Sequence, residues 1–378
     1  MNIEDQLAKV KQPLSTSATL PPRCYTCEDW ARKEQEKIFA RVWVSIGRRD
    51  RWKKAGDFIC IDVAGVPMVV TMDDAGELHA LANTCSHRGM KLKADEGNCQ
   101  QLVCPFHAWT YSLSGELISA PRMENCAQSE VGFKESDYNL STIRLEQSDG
   151  FVFVCLDQEQ PSLQDWLADF GEVHLPWSLS DLETARVVKL DVNCNWKTFI
   201  EVFNEYYHLP FVHPNSLDGL YLEPDESDTV IGEFATQFGI TSGTAALLEE
   251  AQNHALPPIV TLQEREQKGT RYTWAFPNMT FAACSDSLWM YEVYPLGAHR
   301  CHVVQTICFP GTSVSLPDFA QKAQRYYDRI DEAIAEDLPF LEAQQQGLDS
   351  PLAKQGRFSA LEPCVGHFAC WYASYMTL

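Results

Sequence analysis

The sequence has little positive charge for its length. Only 30 Lys and Arg residues stand against 52 Asp and Glu residues, which gives a formal net charge of -22 over 378 residues. Such a chain would repel the phosphates of nucleic acids and anionic lipid surfaces, so we expect neither as a partner. The excess of acidic residues favours solubility, and it also permits the steering of a basic redox partner or a cationic substrate.

Long apolar runs are also missing. No stretch reaches the roughly 18 apolar residues that a transmembrane helix requires. The N-terminus, MNIEDQLAKVKQP, has no apolar core followed by a small-residue cleavage site. We therefore expect a soluble, cytoplasmic protein that does not contact a membrane. Its 14 cysteines are then better explained as reduced thiols and metal ligands than as a disulfide framework.

The hydrophobic pattern changes twice along the chain. Helical spacing at residues 1–44 gives way at residues 45–157 to short β-rich runs, such as DFICIDV and GFVFVCL, separated by turn signals. Residues 158–378 mix helical and strand-like segments, and the acidic, Pro-punctuated stretch 158–181 has the composition of a linker. The sequence therefore predicts an α+β protein with an all-β domain near its N-terminal end.

The all-β region holds two short motifs, each with one Cys and one His. Cys85 and His87 are separated by one residue, and Cys104 and His107 follow 16 residues later, separated by two. Thiolates and imidazoles suit zinc as well as iron–sulfur clusters. Zinc fingers usually pair Cys with Cys and His with His, whereas a Rieske centre has two His in place of two Cys on one iron. The pattern favours a Rieske centre; zinc and unrelated core residues are the alternatives.

A second His pair lies in the segment NWKTFIEVFNEYYHLPFVH. Its apolar spacing predicts a helix over residues 195–208, which places Glu205 and His208 three residues apart and His213 just beyond the helix end. Non-haem Fe(II) oxygenases bind iron through two His and one carboxylate and leave positions open for O2 and substrate. The missing carboxylate is expected far away in the sequence.

The candidate carboxylates lie in a late amphipathic segment, residues 316–346. Glu336 and Asp337 stand just before Pro339, which is expected to break the helix. A carboxylate at such a break can point into a cavity.

Several strings together resemble one family. CSHRGMKL and CPFHAWTYSLSGEL resemble Rieske loops, and the N-W-K start, the E-x2-H-x4-H core and a late E-D-x4-E-x2-Q pattern follow in order. Over nearly its whole length the chain therefore resembles the Rieske-type non-haem iron ring-hydroxylating oxygenases. The resemblance implies an all-β Rieske [2Fe-2S] domain at 45–157 and a helix-grip catalytic domain with an antiparallel sheet at 158–378. Residues 1–44 would be a helical segment of the catalytic domain.

The resemblance also implies a role for each motif residue. The expected cluster ligands are Cys85, His87, Cys104 and His107. The expected ligands of the mononuclear Fe(II) are His208, His213 and Asp337, with Glu336 as the alternative third ligand. Glu205 stands where the family has a carboxylate that joins an iron-site His to a cluster His of the neighbouring subunit, which implies a head-to-tail homotrimer. A flavin and iron–sulfur reductase, with or without a ferredoxin, would supply electrons from NAD(P)H.

The resemblance gives a weaker indication of the substrate. Most aromatic dioxygenases have Asp at the position of Glu205, and the longer side chain resembles the carnitine and glycine betaine oxygenases. We therefore expect O2-dependent hydroxylation or demethylation of a small methylated ammonium compound of the betaine, choline or carnitine type. Candidate pocket residues, for a cation cage or a flat aromatic slot, are Trp274, Phe276, Asn278, Trp289, Tyr291 and Tyr294. The alternatives are an aromatic acid hydroxylase or O-demethylase, and a Rieske electron carrier without a functional mononuclear iron.

Overall fold

The computed structural model of the chain describes residues 2–123, 132–214, 216–217, 219–221 and 224–377. The chain divides into two compact units. The β unit comprises Phe39–Gln147 and Phe151–Gln160, and the large unit comprises Met1–Ile38, Ser148–Gly150 and Pro161–Leu378. Within the described ranges, no helix is both long and apolar enough to cross a membrane.

The β unit is built from short strands. In chain order they are β1 (Val44–Arg48), β2 (Asp57–Val63), β3 (Val66–Met72), β4 (Leu78–Ala82), β5 (Glu96–Asn98), β6 (Leu102–Val103), β7 (Thr110–Tyr111), β8 (Leu117–Ser119), β9 (Thr142–Ser148) and β10 (Phe151–Cys155). They form a seven-stranded sheet of order β1-β10-β9-β4-β3-β2-β5 and a three-stranded sheet of order β6-β7-β8. The predicted all-β region is therefore confirmed.

The core of the β unit extends into the two Cys–His loops. Val69 and Leu81 of the larger sheet pack in one cluster with Leu102 of the smaller sheet. Cys85 and Cys104 belong to the same cluster, and each is only 2% exposed. The hydrophobic core therefore anchors both loops at their cysteines.

The large unit combines one sheet with helices. Its strands are β11 (Leu182–Val192), β12 (Phe234–Ile240), β13 (Gly269–Ala275), β14 (Met279–Ala283), β15 (Leu288–Pro295) and β16 (Cys301–Pro310). They form an antiparallel sheet of order β11-β16-β15-β14-β13-β12. The helices are α1 (Ile3–Val10), α2 (Arg23–Thr26), α3 (Glu28–Glu34), α4 (Leu163–Leu167), α5 (Phe170–His174), α6 (Trp196–Val202), α7 (Leu209–Val212), α8 (Gly311–Val314), α9 (Phe319–Leu348) and α10 (Pro363–Thr377). The predicted α+β class is confirmed.

Three local expectations were wrong. Helix α9 continues through Pro339 to Leu348, because Pro339 is exposed and Leu341 and Gln345 beyond it are buried and hold the second half of the helix in place. The helix predicted over 195–208 ends at Val202 and resumes only at α7. The expected linker 158–181 instead contains α4 and α5, whose apolar side chains are buried.

Candidate functional site

The two Cys–His loops of the β unit share one backbone pattern. The N–H of Cys85 donates to the carbonyl of Met90, and the N–H of Cys104 donates to that of Trp109, each at 2.8 Å. Each Cys carbonyl in turn accepts from the N–H four residues on, at Gly89 or Ala108, and both of those residues have positive φ. The repeated turn presents one Cys and one His from each loop.

The loop side chains are arranged around two aromatic residues. The rings of His87 and His107 are 4.7 Å apart, and His87 stacks on Trp109 at 4.9 Å. The Tyr111 hydroxyl lies 3.2 Å from Cys85 Sγ and accepts a hydrogen bond from the N–H of Ser86. Burial raises the pKa of Tyr111 above its ordinary value, so its O–H remains available to donate to the sulfur.

In the large unit, the two His of the second motif meet Asp337. His208 precedes α7 and His213 follows it, while Asp337 lies on α9. Asp337 Oδ1 is 3.1 Å from His213 Nε2 and 3.8 Å from His208 Nε2. One ligand atom from each residue lies within 4.8 Å of the other two, which is the arrangement of a metal site.

In both imidazoles a carboxylate contacts Nδ1, the nitrogen that faces away from Asp337. Glu205 Oε1 lies 2.6 Å from His208 Nδ1, and the other oxygen of Glu205 accepts the backbone N–H groups of Tyr207 and His208. Glu336 Oε2 lies 2.7 Å from His213 Nδ1. Such contacts select the tautomer in which Nε2 is free to bind a metal.

Glu336 was the alternative third ligand, and its position differs from that expectation. It lies one residue before Asp337 on α9, so its side chain points about 100° away around the helix. Its Oε2 accepts from Ser216 Oγ at 2.5 Å in addition to contacting His213. Burial by itself would lower the pKa of His213, but the carboxylates of Asp337 and Glu336 raise it above its ordinary value.

The other motif residues connect α6 to α9. The side-chain oxygen of Gln345 accepts the backbone N–H of Asn195 at 2.8 Å, and Glu342 accepts from the amide of Asn193 at 3.0 Å. Asn195 itself caps the first turn of α6, because its side chain accepts the N–H of Lys197 at 3.1 Å. These contacts fix the start of α6, which leads to His208, against α9, which carries Asp337.

The Lys of the N-W-K motif is fully buried with a carboxylate. Lys197 Nζ lies 2.6 Å from Glu34 Oε1, and both side chains are 0% exposed. The Trp196 indole donates to Glu34 at 2.9 Å, and the Tyr372 hydroxyl also donates to it. The Glu34 carboxylate is therefore hydrogen-bonded by Lys197, Trp196 and Tyr372, as a buried charge requires.

A narrow cavity of about 50 Å³ opens beside the His–Asp group. Its aromatic walls are Phe203, Tyr206, Tyr221, Tyr272, Trp289 and Tyr291. Tyr272, Ala282 and Trp289 are neighbours across three adjacent strands, so the small Ala282 leaves space between the two rings. Glu205, Arg329 and Asp337 place charged groups in the same cavity.

Of the six pocket residues predicted from the sequence, two line this cavity. Trp289 and Tyr291 line the cavity, but Trp274 and Phe276 instead pack against Phe368 of α10. Tyr294 lies an odd number of positions from Tyr291, so it points to the opposite face of β15. Asn278 is likewise outside the lining.

Arg329 was missed altogether. It stands eight residues before Asp337, with Ala333 midway, and spacings of four bring residues to one helix face. That spacing is the signal that would have found it.

Comparison with known proteins identifies the family. The family described as "Ring hydroxylating alpha subunit (catalytic domain)" matches residues 179–378, and "Rieske [2Fe-2S] domain" matches residues 42–134. The chain belongs to the ring-hydroxylating alpha subunits. This alpha subunit is an oxidoreductase of the Rieske oxygenase type, with a [2Fe-2S] domain and a catalytic domain of the kind that binds mononuclear iron, and it takes its electrons from a reductase or a ferredoxin.

The alpha subunit has relatives of known activity. It is 27% identical to the chloroplastic choline monooxygenase of Arabidopsis thaliana, over 95% of this chain and 83% of that protein. It is 30% identical to the carnitine monooxygenase oxygenase subunit of Escherichia coli K12, over 58% of this chain and 59% of that protein.

Solved structures share the fold of the alpha subunit. The quaternary ammonium Rieske monooxygenase CntA in complex with L-carnitine has a TM-score of 0.79 at 24% identity, and the match covers 99% of this chain and 98% of that one. Naphthalene 1,2-dioxygenase from Rhodococcus sp. bound to indole has a TM-score of 0.78 at 20% identity, covering 99% and 97%. The fold is therefore shared by oxygenases of different substrates.

Two buried atoms fit the groups that the family binds. Within the described ranges, His87 Nδ1 is buried without a hydrogen bond, and the buried Asp337 Oδ1 faces the two imidazole nitrogens without a well-formed hydrogen bond. Each belongs to a residue expected to bind iron, and an unsatisfied buried polar atom is costly unless it has a partner such as a metal. Two thiolates with two imidazoles suit a Rieske cluster. Two imidazoles with a carboxylate suit a non-haem Fe(II).

Proposed function

We propose that this alpha subunit is the terminal oxygenase for a small methylated ammonium compound. The observation that supports this most directly is the group of His208, His213 and Asp337 at one end of a cavity with aromatic walls. Aromatic faces attract quaternary ammonium groups through cation–π interactions. The relatives named for choline and carnitine agree with such a substrate.

Each residue of the two sites then has a role. Cys85, His87, Cys104 and His107 would hold the cluster; His208, His213 and Asp337 would hold the iron. When bound, the cluster supplies electrons and the iron supplies the activation of O2. Glu205 and Glu336 orient the imidazoles, and the cavity walls exclude water and position a C–H bond of the substrate.

The stoichiometry of N-methyl hydroxylation defines which reactants and products must be measured. Hydroxylation of one N-methyl C–H bond consumes one O2, two electrons and two protons, and it yields water and a carbinol that breaks down to formaldehyde and the demethylated amine. The purified protein with a reductase and NADH should therefore consume NADH and O2 only with its substrate. Carnitine, choline and glycine betaine are to be compared with a panel of aromatic acids, and formaldehyde or another aldehyde released from the ammonium compound is the product to be assayed. Uptake with aromatic acids alone would contradict the proposed substrate class.

An aromatic acid is the second candidate substrate. The buried Arg329 in the cavity favours a ligand with a negative charge, and flat rings also pack against aromatic walls. Ring hydroxylation releases no formaldehyde but O-demethylation of an aromatic acid does, so the compound that supports O2 uptake separates the two candidates.

Iron content separates both candidates from a pure electron carrier. A subunit with a cluster and a mononuclear iron should contain three irons, whereas a Rieske carrier contains two. Substitution of Asp337 by Asn should remove one iron and leave the visible spectrum of the cluster unchanged. The variant Asp331→Asn, an exposed carboxylate on the same helix that pairs with Arg186, is the matched control.

We also propose that the protein is a head-to-tail homotrimer in the cytoplasm. Support for the trimer comes from Glu205, the residue at the position where the family joins neighbouring subunits. Support for the location comes from the described cysteines, none of which forms a disulfide, as suits a reducing compartment. Light scattering after size-exclusion chromatography tests the assembly, and cell fractionation tests the location.

A further inference from the structure

The cavity contains a positive charge without a matching negative one. Arg329 is 3% exposed and carries a permanent charge. It forms no ion pair with any carboxylate in the described part of the chain. Its guanidinium contacts only uncharged groups: Nη2 donates to the Tyr221 hydroxyl at 2.9 Å, and the group lies over the Trp289 ring at 4.4 Å. A buried charge without a counter-charge destabilises the folded protein unless a ligand of opposite charge binds beside it.

The donors around Arg329 exceed the available acceptors. Within the described residues, Arg329 Nε and Trp289 Nε1 are buried and have no hydrogen-bond partner. The hydroxyls of Tyr221 and Tyr272 lie 2.5 Å apart and share one hydrogen bond. Because burial keeps the pKa of both phenols above the ordinary value, two protons are present and the mutual bond uses only one. This corner of the cavity therefore offers several N–H and O–H groups to an incoming acceptor.

The carboxylates of the cavity are already engaged elsewhere. Glu205 contacts His208, and Asp337 lies against both imidazoles. Arg329, Ala333 and Asp337 recur every four residues along α9, so the backbone positions of Arg329 and Asp337 lie about two helical turns, roughly 12 Å of rise, apart on one helix face. The methyl side chain of Ala333 leaves space between them. The cavity thus has a cationic end and an iron-site end.

We propose that Arg329 binds a carboxylate of the substrate, so that the enzyme selects carboxylate-bearing compounds and rejects choline and other substrates that carry only a positive charge. This proposal rests on the proposed function, because it takes the cavity beside His208 and His213 as the substrate site. Charge-assisted hydrogen bonds from guanidinium to carboxylate are among the strongest in proteins. A cation without a carboxylate would instead add a second positive charge to a cavity where the existing one is unpaired.

The test is ligand binding rather than turnover. Isothermal titration calorimetry on the iron-loaded protein, without reductase, compares four similar small molecules: glycine betaine, its methyl ester, choline and tert-butylacetate. The last retains the carboxylate and replaces the ammonium by carbon. Benzoate is added as an aromatic carboxylate. We expect glycine betaine to bind at least about 10-fold more tightly than its ester or choline.

Variants assign that preference to one residue. Arg329→Gln should remove the preference for the carboxylate, whereas Arg329→Lys, which keeps the charge, should retain part of it. Arg325→Gln makes the same change one turn earlier on α9, outside the cavity lining, and should bind like the unaltered protein. Iron content and near-ultraviolet circular dichroism identify any variant that has not folded, in which case the Lys variant decides.

Each outcome has a distinct meaning. Equal affinity for choline and glycine betaine, or an unchanged preference in Arg329→Gln, would overturn the role of Arg329 while leaving an ammonium substrate in place. Arg329-dependent binding of benzoate and tert-butylacetate without binding of any ammonium compound would support the role of Arg329 and overturn the proposed substrate class. Failure of every compound to bind would overturn both.

Discussion

His213 Nδ1 lies 2.7 Å from Glu336 Oε2, and this contact defines which nitrogen of the ring is free. The adjacent residue on the same helix, Asp337, approaches the other nitrogen, Nε2, at 3.1 Å. Two successive carboxylates therefore act on opposite sides of one imidazole. The first orients the ring, and the second lies beside it in the group of side chains that could hold a metal ion.

The substitution Glu336→Gln should weaken iron binding without abolishing it. An amide still accepts a hydrogen bond from Nδ1–H, but it no longer stabilises the imidazole electrostatically. Loss of such orienting partners typically costs about 10- to 100-fold in metal affinity. Anaerobic titration of the iron-free catalytic site with Fe(II) measures the change. Glu332→Gln, an exposed position on the same helix, is the control; equal affinities for the two variants would rule out the assigned role of Glu336.

The substitution Tyr111→Phe should lower the reduction potential of the cluster. The Tyr111 hydroxyl lies 3.2 Å from Cys85 Sγ, and hydrogen bonds to cluster sulfurs favour the reduced, more negative state. Loss of a bond worth about 1 kcal/mol corresponds to about 40 mV for a one-electron couple. Redox titration followed by electron paramagnetic resonance gives the potential. Tyr138→Phe, whose ring also contacts Trp109, should leave the potential unchanged.

The substitution Gln345→Leu should destabilise the large unit. Gln345 accepts the buried N–H of Asn195 at 2.8 Å, so its loss leaves that N–H unpaired. The carbonyl of Tyr25, to which Gln345 donates at 3.2 Å, keeps Asn195 Nδ2 as a donor. Each unsatisfied buried group costs about 1–3 kcal/mol. Denaturant unfolding monitored by near-ultraviolet circular dichroism measures the loss. Gln346→Leu, the exposed neighbour, should be close to neutral; a comparable loss there would show that the contacts of Gln345 are not responsible.

The pH dependence of stability should include a contribution from His174. Burial lowers its pKa to about 3, and the ring is held neutral between the Phe170 carbonyl and the Thr273 hydroxyl, each at 2.7 Å. In the unfolded chain the same group protonates near pH 6.5, so the unfolded state binds the extra proton between about pH 6.5 and 3. Stability is therefore lost as the pH falls through this window, by about 2 kcal/mol at pH 5.

Comparison with His174→Gln isolates this contribution. The variant should lose less stability than the unaltered protein when the pH falls from 7 to 5, as measured by denaturant unfolding at both values. His302→Gln alters a partly exposed His on β16 and is the control. If the pH slope of His174→Gln matches that of the unaltered protein, the buried neutral state of His174 is refuted.

The predictability of the site differs from residue to residue. Cys85, His87, Cys104 and His107 stand close together in the sequence, so their spacing alone indicates a single centre. Asp337 required a resemblance to a known family, because it is separated from His213 by more than a hundred residues. Gln345 stood out as part of a pattern, but its contact with Asn195 could not be inferred from spacing.

The errors in the fold have a common cause. Pro339 was expected to break α9, yet the buried contacts of Leu341 and Gln345 keep the helix continuous. The segment 158–181 has the composition of a linker, yet its few apolar residues are placed so that α4 and α5 bury them. In both cases packing outweighed a local propensity of a few kcal/mol at most.

The sequence by itself determined the α+β class, the family and the two sets of candidate metal ligands, because these depend on periodicity and on short motifs of reactive residues. Only the tertiary structure decided that Glu336 contacts His213 and that Arg329 faces the cavity. Both residues lie on an amphipathic helix whose pattern separates buried from exposed faces. That pattern does not specify which distant residue meets a given side chain, since contacts across the fold depend on how the helix packs against the sheet and the His segment.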